Sequence, residues 1–454
     1  MKSILIKNAD RIATMNDQDL ILENADLLIE ENKISKTGFN LGERADQVLD
    51  AAGKIVLPGF INTHHHLFQT LFRCLPAIQN KPLFPWLTHL YHWWRHLTPE
   101  AVRVGALVGI GELLLTGCTT TTDHFYVYPK GVRGDLLDET IQAARDLGIR
   151  FYPTRGSISL GQSQGGLPPD ELTQTEEEIL KDSRRIIETY HDPSPFSLCR
   201  IGLSPNAPFS ATADLMRSTV KLARETKVMC HTHLAETKDE EEYCLLKFNR
   251  RPLRYLEDLE WIGEDIWFAH GIHFNDEELE KLARTKTKIA HCPSSNCRLG
   301  SGTAPYPKWK EKKVIFGLGV DGSASNDSSN MWGEVRQFLL VHRAAWGSEI
   351  ITPYEALKCA TRNGSELLRW PEIGSLVPGK AADLILIDIR KIAYAGASYD
   401  PVAALVLCGD SFIVDTSIVN GEIVVQNGKL TRASESKIMG EASRIVESLQ
   451  KRVS

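Results

Sequence analysis

Apolar and polar positions alternate with a period of two over the first ~57 residues, as in ADLLIEENKISKTG, and again from about 373 to 430, in ADLILIDIR and FIVDTSIVNGEIVVQNGKL. Such runs, separated by turn residues, predict short β-strands at both ends of the chain. Between Pro58 and about Trp370 the pattern changes. Brief β-type runs alternate there with stretches of helical spacing, which predicts repeated βα units around a parallel sheet. One unit reads in full: Thr98 as N-cap, Pro99 at the first helical position, apolar residues to Leu115, Gly117 as terminator, then CTTTT leading to Asp123. The β-type runs near 57–62, 118–122, 149–154, 200–204, 227–232, 266–269, 287–290 and 315–320 number eight, as a closed barrel of this kind requires.

The fold class expected is therefore α/β: a (β/α)8 TIM-type barrel over 58–370, beside a small β-sandwich formed by the N- and C-terminal segments, 1–57 and 371–430. The last stretch, 431–454, carries Ile438, Met439, Ala442, Ile445, Val446 and Leu449 at helical spacing and reads as an amphipathic helix docked on the body. The 454 residues are enough for these units, and 42% hydrophobic with 24% charged residues is the composition of a globular chain with a large core. A net charge of -6 provides no positive field for a phosphate backbone, so nucleic acid is not an expected partner. Nine scattered cysteines without a CxxC pair read as reduced thiols. The amino terminus lacks an apolar h-region, and the longest apolar stretch, Val104 to Leu115, is broken by Glu112; the expectation is a cytoplasmic protein with no membrane partner.

Candidate chemistry begins at Asn62-Thr63-His64-His65-His66, directly after IVLPGFI. On a strand His64 and His66 share a face and His65 takes the other, so two imidazoles can share a cation. A structural role is equally open to such a pair alone. His233 ends KVMCHTHL with Glu236 three residues on, His270 ends DIWFAH, and Asp321 ends FGLGVD. These are the ends of candidate strands one, five, six and eight, and in a barrel of this type strand ends converge on one mouth. Taken singly, His270 and Asp321 would be satisfied polar groups, and Glu236 a surface carboxylate opening a helix at Thr237. His65 is assigned to structure, and His124 stays open between support of the site and packing.

With these motifs in order, PGFINTHHH, HTHLAET, AHGIH, HCPSSN, GLGVDGSASND and PGKAADLILID, the chain resembles the amidohydrolase superfamily over nearly its whole length. It is most similar to the deaminase branch, which includes guanine deaminase, 8-oxoguanine deaminase and triazine aminohydrolases. NTHHHLFQTL, NKPLFPWL, TRGSISLG and GGLPP point to the members acting on 8-oxoguanine and hydroxydechloroatrazine. The resemblance implies that His64, His66, His233 and Asp321 ligate one divalent ion, most simply zinc, with iron or manganese tolerated. Leu203-Ser204-Pro205-Asn206-Ala207-Pro208 holds no lysine for a second metal.

By the same resemblance Asp321 takes a proton from water, His270 holds the attacking oxygen in line, and Glu236 protonates the ring nitrogen. Gln69 matches a glutamine that contacts the purine; Arg155 and His291 lie where the family contacts ring oxygens, and Trp86 could stack on a flat ring. The leading substrate expected is 8-oxoguanine, giving urate plus ammonia. Alternatives are isoxanthopterin or another pterin, N-ethyl hydrolysis of a hydroxy-triazine and, more distantly, cyclic amide hydrolysis. A homodimer is expected on the resemblance alone. The phosphate loop and the PCxxC zinc signature of cytidine deaminases are absent from the sequence.

Overall fold

The computed structural model describes residues 2–132, 135–408 and 413–453; Met1, Phe412 and Ser454, which belong to segments assigned above, lie outside the described residues. Eight strands form one sheet in sequence order: Phe60–Asn62, Cys118–Phe125, Arg150–Ser157, Gly202–Pro205, Met229–Leu234, Ile266–His270, Lys288–His291 and Phe316–Leu318. Every neighbouring pair is parallel. The first and last strands meet where Thr63 donates to the Leu318 carbonyl from its backbone N–H at 3.0 Å and from its hydroxyl at 2.9 Å. That contact closes the sheet into the (β/α)8 barrel.

The unit read from sequence forms as its residues dictate. Thr98 accepts from the Ala101 amide at the start of the helix Pro99–Leu115, and Gly117 ends the turn at φ 87°. No other residue fits there, since a Cβ on Gly117 would stand 2.8 Å from Ile385 and φ lies in the left-handed region. The β-branched run that follows extends to Phe125, three residues beyond the expected end, because the polar Asp123 and His124 point into a buried strand end rather than into a loop.

The two chain ends meet as expected, their nine strands hydrogen-bonded in one continuous order. Its centre is the pairing of Lys54–Pro58 with Leu384–Asp388, Ile385 opposite Leu57. Ile4, Ile6, Ala25, Leu27, Ile34, Val56, Leu384 and Leu386 build a core for it separate from that of the barrel. The helix Glu435–Val453 buries Ile438, Ile445 and Leu449 against the body and leaves Met439 68% exposed, so Met439 drops out of the apolar stripe. No helix among the described residues is long and apolar enough to cross a membrane.

Candidate metal centre

All the strand ends bearing candidate chemistry open on one side of the barrel. His64 and His66 follow the first strand, His233 lies in the fifth, His270 ends the sixth and Asp321 follows the eighth. The structure brings them together. His66 Nε2 lies 3.1 Å from His233 Nε2 and 3.4 Å from Asp321 Oδ1, and His64 Nε2 lies 3.2 Å from the same carboxylate oxygen. His64, His233, His270 and Asp321 also have donor atoms within 4.8 Å of one another. Asp321 at φ 63° and His270 at φ 74° are held in the left-handed region, where the chain leaves its strand abruptly and aims the side chain inward.

Hydrogen bonding on the far side of each ring decides which nitrogens can bind a cation. His66 Nδ1 donates to the His124 carbonyl at 2.7 Å and His233 Nδ1 to the Asn206 carbonyl at 2.7 Å, so each keeps a bare Nε2. His231 Nδ1 donates to the Trp267 carbonyl at 2.9 Å; its Nε2 therefore accepts from His64 Nδ1 at 2.8 Å, and His64 Nε2 is left buried with no hydrogen-bond partner among the described residues. Bare Nε2 atoms of His64 and His66 thus both lie beside Asp321 Oδ1, and that of His233 lies beside His66 Nε2. His270 differs: Asn296 Nδ2 donates to its Nδ1 at 3.1 Å, which places the proton of the neutral ring on Nε2. A ring N–H donates to a ligand's oxygen and does not bind a metal. The donor set of His64, His66, His233 and Asp321 fits one divalent cation, while His270 points a donor at the space beside it.

Burial shapes the electrostatics. It lowers the pKa of His64 and His233 well below the usual value, so the rings stay neutral, as ligation requires. Burial works against the Asp321 anion too, yet His64, His270 and His66 hold that carboxyl well below the usual range. Asp321 Oδ2 accepts the Ser295 hydroxyl at 2.6 Å and that of Ser325 at 3.1 Å. Glu236 behaves oppositely: burial first, then the nearby charges of Asp321 and Glu240, push its pKa well above a carboxylate's normal value. Its Oε2 lies 3.4 Å from His270 Nε2, and its Oε1 has no partner among the described residues. The pKa values of the two carboxyls are thus pushed apart, the separation that suits one to act as base and the other as acid.

A narrow cavity over these groups is lined by Gln69, Leu83, Trp86, Leu87, Asn206, Phe209 and Leu299 among others. Gln69 and Trp86 therefore reach it, Trp86 with its indole N–H donating to the Ala324 carbonyl at 3.2 Å. Arg155 and His291 do not. Arg155 donates to Asp182 at 2.9 Å and Gln174 at 2.9 Å and sits over the Tyr128 ring, on the strand face opposite Thr154, which bonds inward to Ser204. His291 packs against Trp309, Phe338 and His342, on the helix side of its strand. The substrate contacts expected of both are corrected by the two-residue alternation of a strand, which sends every second side chain away from the barrel axis. His65 bonds Ser329 at 3.0 Å, and His124 donates from Nε2 to the Ser204 carbonyl at 3.0 Å, supporting His66 through its own carbonyl. Tyr126, which also lines the cavity, went unread; its place two residues after His124, on the same face, was the available signal.

Comparison with known proteins agrees with this architecture. The chain is 44% identical over 411 residues to 8-oxoguanine deaminase of Pseudomonas aeruginosa, covering 90% of each protein. It is 32% identical to hydroxydechloroatrazine ethylaminohydrolase of Pseudomonas sp. strain ADP, over 96% of this chain and 94% of that one. Among solved structures, zinc-bound atrazine chlorohydrolase of Arthrobacter aurescens TC1 superimposes with a TM-score of 0.94 at 32% identity, over 98% of this chain and 100% of that one. The amidohydrolase family model matches residues 55–424, and the chain belongs to that family.

Proposed function

We propose that the chain is an aminohydrolase that replaces an exocyclic amino group of a flat nitrogen heterocycle by oxygen, with 8-oxoguanine to urate plus ammonia as its leading reaction. The observation that carries this reading is the convergence of Glu236, Asp321, His66, His233 and His270 on one narrow cavity, with the Glu236 carboxyl pushed up in pKa by burial and the Asp321 carboxyl held down by its imidazole neighbours. The 44% identity to an 8-oxoguanine deaminase supports the choice of ring. His64, His66, His233 and Asp321 would hold the ion, for which three nitrogens and a carboxylate suit zinc, and which supplies the Lewis acidity that makes water nucleophilic near neutral pH.

The chain's own groups do the rest. Asp321 has Oδ2 occupied by two serine hydroxyls and Oδ1 turned to the imidazoles; it takes the proton that water gives up. His270 donates from Nε2 and holds the oxygen in line with the amino-bearing carbon. Glu236 gives its proton to the adjacent ring nitrogen as the carbon becomes tetrahedral; the proton held by Asp321 passes to the amine, which departs as ammonia, and the hydroxyl on that carbon returns its proton to Glu236. The oxygen of water ends as the new carbonyl, with the hydrogen of the lactam on the ring nitrogen.

Ammonia release by the purified, zinc-loaded protein tests the reading on 8-oxoguanine, guanine, isoxanthopterin, isocytosine and hydroxylated triazines. The highest kcat/KM is expected on 8-oxoguanine. Turnover of isoxanthopterin alone would move the assignment to a pterin, and of the triazine alone to N-dealkylation. Ring opening without ammonia would mean cyclic amide hydrolysis, and silence on the whole panel would sink the deaminase assignment.

A further inference from the structure

Four helices open on one local signal, a Thr or Asn cap with a glutamate three residues later. In three of them the glutamate reaches back to the N–H of its own cap: Glu178 accepts from Thr175, Glu278 from Asn275 and Glu355 from Thr352, each at 2.8 Å. The helix Lys238–Phe248 departs from that pattern. Thr237 still caps it, its hydroxyl accepting the Glu240 N–H at 3.4 Å. The Glu240 carboxylate, however, passes over the cap: Oε1 accepts the Ala235 N–H at 3.1 Å and Oε2 the Glu236 N–H at 2.9 Å.

Both N–H groups belong to the turn that carries Glu236. The fifth barrel strand ends at Leu234, and Ala235 follows it at φ 54°, in the left-handed region that a residue with a Cβ keeps only where its surroundings impose it. Two contacts impose it here. Glu240 holds the N–H groups on one side; on the other the Ala235 carbonyl accepts the His273 N–H at 2.9 Å, which ties the turn to the segment after His270. Glu240 is 1% exposed, and its two oxygens have these N–H groups in place of water. Glu236 lines the cavity, and Glu240 is not among the lining residues. A glutamate serving only its helix would take the cap N–H; this one is committed to the turn instead.

We propose that Glu240 is a positioning residue for Glu236: by clamping two consecutive backbone N–H groups it fixes the turn that aims the acid at the ring nitrogen. This rests on the reading of Glu236 as the proton donor and adds the group that places it. A displacement of about 1 Å at such a donor can cost about a hundredfold in rate, while the walls that bind the ring are untouched, so the effect falls on kcat. Glu240 also contributes to the charge around Glu236, so the test separates position from charge.

The test measures kcat and KM of the zinc-loaded parent, Glu240→Gln, Glu240→Asp, Glu236→Gln and the combination of Glu236→Gln with Glu240→Gln, on the ring that the parent turns over fastest. Glu240→Gln keeps the size of the side chain and sets an amide NH2 against one of the two N–H groups. It should lower kcat by about ten- to a hundredfold with KM within about threefold and zinc content unchanged. Glu240→Asp keeps the charge but is a methylene too short to reach both N–H groups, and should lose about threefold or more in kcat with the same split. It takes the place of Glu240→Gln throughout should that variant not fold. In the Glu236→Gln background the change at Glu240 should alter kcat by less than about threefold, because no acid is left to place. An equal loss in both backgrounds would make Glu240 a residue of the fold at large, and full activity in Glu240→Asp would make its charge the whole effect; either overturns the inference. If the parent protein releases ammonia from none of the rings, the functional reading fails instead. Hydrogen exchange over residues 233–241 then decides on Glu240 alone: exchange about tenfold faster in Glu240→Gln than in the parent upholds the clamp, and equal rates overturn it.

Discussion

His231 does not line the cavity and yet sets the protonation of His64, to which it is hydrogen-bonded. Its acceptor nitrogen fixes the His64 proton on Nδ1, with the Trp267 carbonyl behind it. His231→Leu should leave that proton unanchored and weaken zinc binding about 10–100-fold, read by competition with a chromogenic chelator. Glu236→Gln should keep the metal and lose kcat by about a hundredfold or more. Because the Glu236 carboxyl titrates well above its ordinary value and acts in its protonated form, the parent rate should hold as pH rises and fall only when that raised pKa is passed. The alkaline limb should vanish from the pH profile of the glutamine variant. At this scale the sequence was most informative where a side chain ends a strand: His64, His66, His233 and Asp321 converge because all strand ends share one mouth. Arg155 and His291 were misplaced because adjacent residues on a strand face opposite ways, and strand position alone does not give the face until register is known.

The helix Pro99–Leu115 shows how an element positions the site without entering it. Gly105 and Gly109 let it approach the segment Leu67–Phe72, which carries Gln69 directly after His66. A Cβ on Gly105 would stand 3.2 Å from Phe68 Cα and 3.3 Å from the Leu67 carbonyl, backbone that cannot swing aside. Gly105→Val should therefore destabilise by about 1–3 kcal/mol and raise KM more than it lowers kcat, as thermal melting and steady-state kinetics would show. Elements of this kind were legible, since N-caps, terminators and β-branched runs are local signals; Thr98, Gly117 and CTTTT each did what their chemistry predicts. Pairing between distant strands was not. Leu57 opposite Ile385 joins residues more than three hundred positions apart, and nothing local in either strand names its partner.

At the scale of the molecule, a buried ion pair ties the barrel to the terminal sheet. Arg150 opens the third barrel strand and has a fully buried side chain; it donates from Nε to Asp383 Oδ2 at 2.7 Å and from Nη2 to Oδ1 at 3.1 Å. Asp383 precedes the strand Leu384–Asp388 of the other sheet and also accepts the Asn420 amide at 2.7 Å. Nη1 donates to the Phe196 carbonyl at 3.1 Å and to the Ser197 carbonyl, so the guanidinium's hydrogens are taken up. Desolvating two charges offsets most of their attraction, so the pair is better seen as fixing how the two sheets meet than as a source of net stability. Removing one partner differs from removing both. Asp383→Asn leaves an uncompensated buried cation and should cost about 3–5 kcal/mol, whereas Arg150→Met with Asp383→Leu should restore or exceed the parent stability. Melting of the three proteins checks this, and zinc per folded chain should be equal in all of them, because the metal donors lie at the opposite ends of the barrel strands. An Asp383→Asn protein as stable as its parent would mean that solvent reaches Arg150 and that the two sheets are held together by apolar packing alone.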